Sequence, residues 1–356
     1  MAIRRTVAAL TLVALAGCAT ETPQTEKAAQ ELTSEQVTFG EQLAQIRGHH
    51  LAAVELYEDD DTEGAATHTG HPVSELLDSV SSDIRERDEE LASKLGPALR
   101  AASRVVADRE PVAELRSAVA AAAEVVEQAE AAVVGDLRTT PRYRGSVVAA
   151  LLQTVVGEYG EAVQDGRVAL LAEWQDGYAF KEVAKNIYGQ IRNDVREASA
   201  EEAAEIDDAF EALDAALPAL EPPANPRDAA EVERAATTVG AELEETVDAL
   251  VVQTRSPEEA FDNIENLLTR ILQAYRAGNT EEAAELAAQA YLENYEIVEA
   301  DVIRLAPDVN EELEPLLGAE LRARIREGAP ADEIASMVER ARTLLRQART
   351  AVVEEH

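Results

Sequence analysis

The chain has 356 residues, with 70 acidic side chains against 32 basic ones and a formal charge of −38, so it repels both phosphate backbones and anionic lipid headgroups. Nucleic acid binding and membrane attachment through a basic patch are thereby excluded. Aromatic residues make up only 4%, and Ala, Glu, Leu, Val and Arg dominate, a mixture that favours helix and lacks the β-branched and aromatic runs of a sheet. Only Lys27, Lys94, Lys181 and Lys185 are lysines, and dense carboxylates with few lysines suit a surface working in concentrated salt, where screening relieves self-repulsion.

Arg4 and Arg5 precede a short apolar run from Thr6 to Ala16 that ends in Leu15-Ala16-Gly17-Cys18. At roughly 11 residues the run is too short to span a bilayer and has the form of a signal-peptide core. The four residues at its end resemble a prokaryotic lipobox. Residues 1–17 are therefore expected to be a lipoprotein signal peptide, Cys18 the lipidation site, and residues 18–35 a flexible tether. The mature protein would sit outside the cytoplasm, on the cell surface, held to the membrane by lipid on Cys18. Cys18 is the only cysteine, so no intramolecular disulfide can form.

The remainder reads as amphipathic helices broken by Gly, Pro and acidic turns. A first helix is expected to reach Glu58, turn through Asp59-Asp60-Asp61, and give way to a second helix near Thr62. A long helix is expected from Gly145 through Arg196, a shorter one over 200–217, a break at the prolines of 222–226, and another helix over 228–253. Ser256-Pro257-Glu258-Glu259 is a helix start, with Ser as N-cap and Pro in the first position.

An internal repeat organises these helices. Tyr57, Thr62, Glu63, Ala65 and Ala66 match Tyr275, Thr280, Glu281, Ala283 and Ala284 at one offset of 218. The expected fold is all-α: tandem helical bundles in which a duplicated four-helix unit, over 36–132 and 256–356, flanks a central helical bundle over 133–255.

Four of the five histidines, His49, His50, His68 and His71, fall within 23 residues. His49 lies nine residues before Glu58 and His71 nine after Thr62, so a tight antiparallel hairpin sets them level. His68 and His71 share one face of the second helix, and Glu75 lies one turn beyond His71. His49, His68, His71 and Glu75 are thus expected to hold a transition metal, since imidazoles with a carboxylate suit Fe, Zn, Cu or Mn. His50 points about 100° away and is expected to be dispensable. Pro72, inside the second helix, removes a backbone bond and bends the chain beside this set. The repeat is an internal control, because Leu267, Leu268, Leu286 and Gln289 replace the histidines in the second copy.

Secondary carboxylates are Glu158, Asp165, Glu173 and Asp176 along the central helix, and Glu296 and Glu299 in the second copy. In so acidic a chain both sets are expected to be solvated stripes. No nucleophile elbow, phosphate-binding Gly-rich loop, His-Glu-x-x-His or Cys-based zinc pattern is present, so no enzymatic activity is expected.

The pattern Gly48-His49, Glu55-Leu56-Tyr57, His68 and His71-Pro72, with Ala274-Tyr275-Arg276-Ala277-Gly278, Ala290-Tyr291 and Glu296-x-x-Glu299 later on, resembles the extracytoplasmic helical domain associated with FTR1-type iron permeases. It is also similar to a helical domain of haloarchaeal lipoproteins. The chain departs from both in lacking the permease helices and any copper-binding His/Cys/Met set. The resemblance implies iron as the bound metal, support of its uptake as the function, and an iron permease or other membrane transporter as partner. The rival expectation is a non-catalytic structural or interaction module without bound metal.

Overall fold

The computed structural model describes residues 31–251 and 256–353; Cys18, the expected signal peptide and most of the expected tether lie outside them. The first unit opens with α1 (Ser34–Glu58), started by a capping box between Thr33 and Gln36. Asp60, at φ 63°, turns the chain, and the Asp61 side chain caps α2 (Thr62–His71). A single π turn, Pro72–Leu76, joins α2 to α3 (Leu77–Arg85) without ending the helix. That is the expected site of Pro72, whose missing N–H is accommodated by widening the turn. Asp88 caps α4 (Glu89–Ala107), and α5 (Val112–Val133) starts after Pro111.

The central bundle comprises α6 (Pro141–Ala162), α7 (Leu171–Ala198), α8 (Ala200–Ala216) and α9 (Ala229–Val247). The single helix expected from Gly145 to Arg196 is therefore two. Val163–Gln164 and Arg167–Val168 pair antiparallel across Asp165-Gly166, both at positive φ (52° and 70°). Asp-Gly is the residue pair that a tight hairpin turn requires, and here it overrides the helical pattern on either side. The reversal folds α7 back along α6. The helix expected to reach Gln253 stops at Val247, where Asp248 adopts a left-handed conformation.

The second unit repeats the order of the first. α10 (Pro257–Arg276) corresponds to α1, and α11 (Thr280–Ala290), the π turn Tyr291–Tyr295 and α12 (Glu296–Leu305) correspond to α2, its π turn and α3. α13 (Pro307–Pro315), the π turn Leu316–Glu320 and α14 (Leu321–Arg326) correspond to α4, and α15 (Ala331–Val353) to α5. The agreement extends to single atoms. Tyr57 Oη donates to the Glu110 carbonyl at 2.7 Å, and Tyr275 Oη to the Ala329 carbonyl at 2.5 Å. Gly278, at φ 86°, stands where the first unit strains Asp60 into the same region.

Apolar burial divides the chain differently from the repeat. Phe39, Leu43, Ile46, Leu76, Val80 and Leu95 of the first unit share one core with Val148, Leu152, Phe180 and Ile191 of the central bundle. The second unit keeps a core of its own, from Ala260 and Phe261 through Val298 and Leu317 to Val352. Polar side chains line much of the boundary between these two cores.

Candidate metal centre

The centre is built on three helices. α1 supplies His49, α2 supplies His68 and His71, and α7 supplies Asp176. One nitrogen of each imidazole and one Asp176 oxygen all lie within 4.8 Å of one another. Asp176 Oδ1 stands 2.7 Å from His49 Nδ1 and 3.0 Å from His68 Nδ1, and Oδ2 stands 3.2 Å from His71 Nδ1. The imidazole rings converge edge to face, with centroids 5.1 Å apart for His49 and His71 and 5.6 Å for His68 and His71.

Local sequence explains the convergence. Gly48 is pressed against the Phe180 ring, where any Cβ would collide, so α1 and α7 approach closely one turn away from Asp176. Phe180 in turn stands edge-on to His49, with centroids 5.0 Å apart. α7 is anchored along its length. Trp174 Nε1 donates to the Ala219 carbonyl at 2.9 Å, and the buried Lys181 ammonium donates to Asp214 and to the Leu217 carbonyl. Gln175 Oε1 lies 2.8 Å from His68 Nε2, fixing the ring from the side opposite Asp176.

Asp176 is 1% exposed, and its carboxyl is held well below the ordinary range: burial alone would raise it, and the neighbouring His49 and His68 reverse that. Burial opposes protonation of His71, but Glu75, Asp176 and Glu173 together push it up to about 10. His68 is raised too, by Asp176 against the effect of its own burial. His49 is 3% exposed and its Nδ1 has no hydrogen-bond partner despite its closeness to Asp176. Three imidazoles, a buried carboxylate and an orphaned ring nitrogen aimed at that carboxylate fit a transition metal. Held there, such an ion would be bound by His49, His68, His71 and Asp176.

The expected fourth ligand, Glu75, is elsewhere. It approaches the other nitrogen of His71, with Oε1 4.0 Å from Nε2, while Nδ1 faces Asp176. Its place is taken by a residue 105 positions beyond His71 in the chain, and nothing in the local helical pattern could reveal that pairing. His50 is 3% exposed, its Nε2 is unpartnered, and burial lowers it to about 4, so it belongs to the packed interior and not to the convergent set.

The secondary carboxylates also depart from expectation. Asp165 is exposed in the hairpin turn and takes no part. Glu158 and Glu173 come within 4.8 Å of Asp176, ligand atom to ligand atom. Glu296 and Glu299, expected on a wet stripe, face the central bundle instead. Glu299 is 3% exposed, and burial with its acidic neighbours Glu314 and Glu173 pushes it to about 8. Burial and mutual repulsion raise Glu158, Glu161 and Glu296 well above the carboxylate range and Glu173 to about 7. These groups form an acidic seam where the second unit meets the central bundle. Arg322, 1% exposed, crosses the same boundary and donates to the carbonyls of Ser74 and Glu75 at 2.8 and 3.0 Å, so the second unit clamps the π turn beside His71.

A profile of the iron permease-associated 4-helix bundle domain matches residues 134–250, the stretch that carries α6 to α9 and with them Glu158, Glu161, Glu173 and Asp176. The resemblance to that domain is thus found, and it centres on the central bundle, while the three histidines lie N-terminal to the matched stretch. No curated protein and no solved structure matches the chain. Among the described residues no helix is long and apolar enough to cross a membrane.

Proposed function

We propose that this protein is a surface-anchored lipoprotein that binds a transition metal, iron, outside the cytoplasm and supports its uptake by an iron permease. The observation that carries the binding is the meeting of His49, His68, His71 and Asp176 from three helices. Iron is favoured over zinc or copper by the iron permease-associated domain that supplies Asp176. The donor set alone accepts all three. Lipid on Cys18 would keep the protein beside a membrane partner, and the charge of −38 suits a surface bathed in concentrated salt.

The test is metal analysis of protein purified without chelator, followed by titration with Fe(II) under anaerobic conditions, Zn(II) and Cu(II). The parent should bind Fe(II) at micromolar concentration or tighter. His71→Ala and Asp176→Asn should weaken binding by about 100-fold or more, beyond the range typical of outer-shell changes, and His50→Ala should leave it unchanged. A parent that binds nothing would leave the His–Asp network as a structural ion-pair cluster and the protein as an interaction module. Cys18→Ser should move the protein from the membrane fraction to the soluble fraction; continued membrane association would remove the anchor.

A further inference from the structure

Building on that centre, we infer that it is dinuclear: Asp176 bridges a cation held by His49, His68 and His71 to a second cation held by Glu158 and Glu173. Asp176 is the member common to both convergent groups, and in each the ligand atoms lie within 4.8 Å of one another. Glu173 and Asp176 are three residues apart and share a face of α7, while Glu158 reaches them from α6. Asp176 Oδ1 faces His49 and His68 and Oδ2 faces His71, and a ligand oxygen of the same carboxylate also lies within 4.8 Å of those of Glu158 and Glu173.

Two observations point to ligands at this vertex. The His49 Nδ1, on a side chain 4% exposed, has no hydrogen-bond partner yet lies 2.7 Å from Asp176 Oδ1. On the other side, the charged groups that act on Glu158 are Glu173, Asp176, Glu161 and Glu296, all of one sign. Like charges this close in a half-buried setting repel strongly, and a divalent cation among them reverses the sign of the interaction. The two positions differ chemically. The imidazole side suits Fe(II) or Zn(II), and the all-carboxylate side suits a harder ion such as Mn(II) or Fe(III). Ions sharing a carboxylate stand roughly 3.5–4 Å apart in two-metal centres, close enough for magnetic coupling.

Mn(II) is the probe, because its electron paramagnetic resonance separates coupled from isolated ions. The full mature chain, titrated with Mn(II) and measured by equilibrium dialysis, should saturate at two ions per chain and show an exchange-coupled multiline spectrum. Glu158→Gln/Glu173→Gln should bind one ion with a simple six-line spectrum. Its melting temperature should hold or rise, since repulsion is removed without loss of volume. A parent saturating at one ion with an uncoupled spectrum overturns the dinuclear assignment while leaving the histidine centre intact. A parent that binds no Mn(II) overturns the dinuclear assignment, and the Fe(II) titration then decides the histidine centre on its own. Because the parent spectrum alone decides between these outcomes, the inference stands or falls even if the double variant does not fold.

Discussion

The first and second helical units place the same backbone at equivalent points and different chemistry upon it. Each has a hairpin, a π turn ten residues or so into the second helix, and a tyrosine locking the far loop at 2.7 or 2.5 Å. Where the first unit presents His49, His68 and His71, the second presents Leu267, Leu286 and Gln289, and its leucines are buried in a private core. The second unit contributes carboxylates instead, from α12, at the seam with the central bundle. The cause of the difference is the neighbour. α1 lies against α7 closely enough to need Gly48, and the equivalent Asn266 is exposed with no helix pressed on it. A hairpin that meets another helix at contact distance can share a ligand set with it. One that closes on its own core cannot.

The sharpest way to break this comparison is to give the first unit the side chains of the second. The triple variant His49→Leu/His68→Leu/His71→Gln should lose metal binding altogether. Its metal-free melting temperature should fall, because the loss of all three imidazoles leaves the Asp176 carboxylate buried without the partners that hold it charged, a situation that costs about 3–5 kcal/mol. A collapse of the fold in that variant, measured by circular dichroism, would show that the histidines hold the structure together.

Gly48→Ala tests the close approach of α1 and α7. The added methyl must displace the Phe180 ring, at a cost of about 1–3 kcal/mol, and should also weaken metal binding by moving His49 away from Asp176. Asn266→Ala at the equivalent exposed position should change stability by less than about 0.5 kcal/mol. Denaturant melts of the two variants make the comparison, and equal effects would contradict it.

The pH dependence of the metal-free protein separates the two regions again. Glu299 and Glu173, raised to about 8 and about 7, bind protons more tightly folded than unfolded. Their stabilising contribution is complete below the ordinary carboxylate range and is lost as pH climbs through 7 to 8. His50, lowered to about 4, works in the other direction: its contribution is present above about 6.5 and is lost as pH falls towards 4. Melting temperature should therefore peak in mildly acidic solution. Glu299→Gln should flatten the alkaline limb and leave the acid limb unchanged, and a profile unaltered above pH 7 would place Glu299 in solvent.

The smallest effect expected is the most symmetrical one. Tyr57→Phe and Tyr275→Phe each remove one hydroxyl donated to a loop carbonyl, at a cost of about 1 kcal/mol. Chemical denaturation should find the two losses equal to within about 0.5 kcal/mol. A large inequality would mean that the two locks, alike in geometry, carry different loads.

Periodicity, capping residues and the repeat made the helices, the first hairpin and the π-turn neighbourhood legible from residue order alone, because those are set by interactions within a few turns. The same local logic picked out His49, His68 and His71, since two helices joined by a three-residue turn have fixed relative height. It failed at Asp165-Gly166, where the signal was present but was outweighed by helical pattern on both sides. It failed more instructively at the carboxylate that meets the three imidazoles. Glu75 satisfies every helical spacing rule, yet the Pro72–Leu76 turn and the rotation of His71 put it on the wrong side of the ring, and Asp176 arrives from α7. The carboxylates of Glu158, Glu173, Glu296 and Glu299 look alike in a chain with 70 acids, and only packing decides which are wet. Sequence determined most of the helices, their order and the clustering of the three imidazoles, all properties of short stretches. The tertiary structure decided which acids are buried, which one meets the histidines and where the two cores part, because those depend on contacts between helices far apart in the chain, and no short-range pattern encodes them.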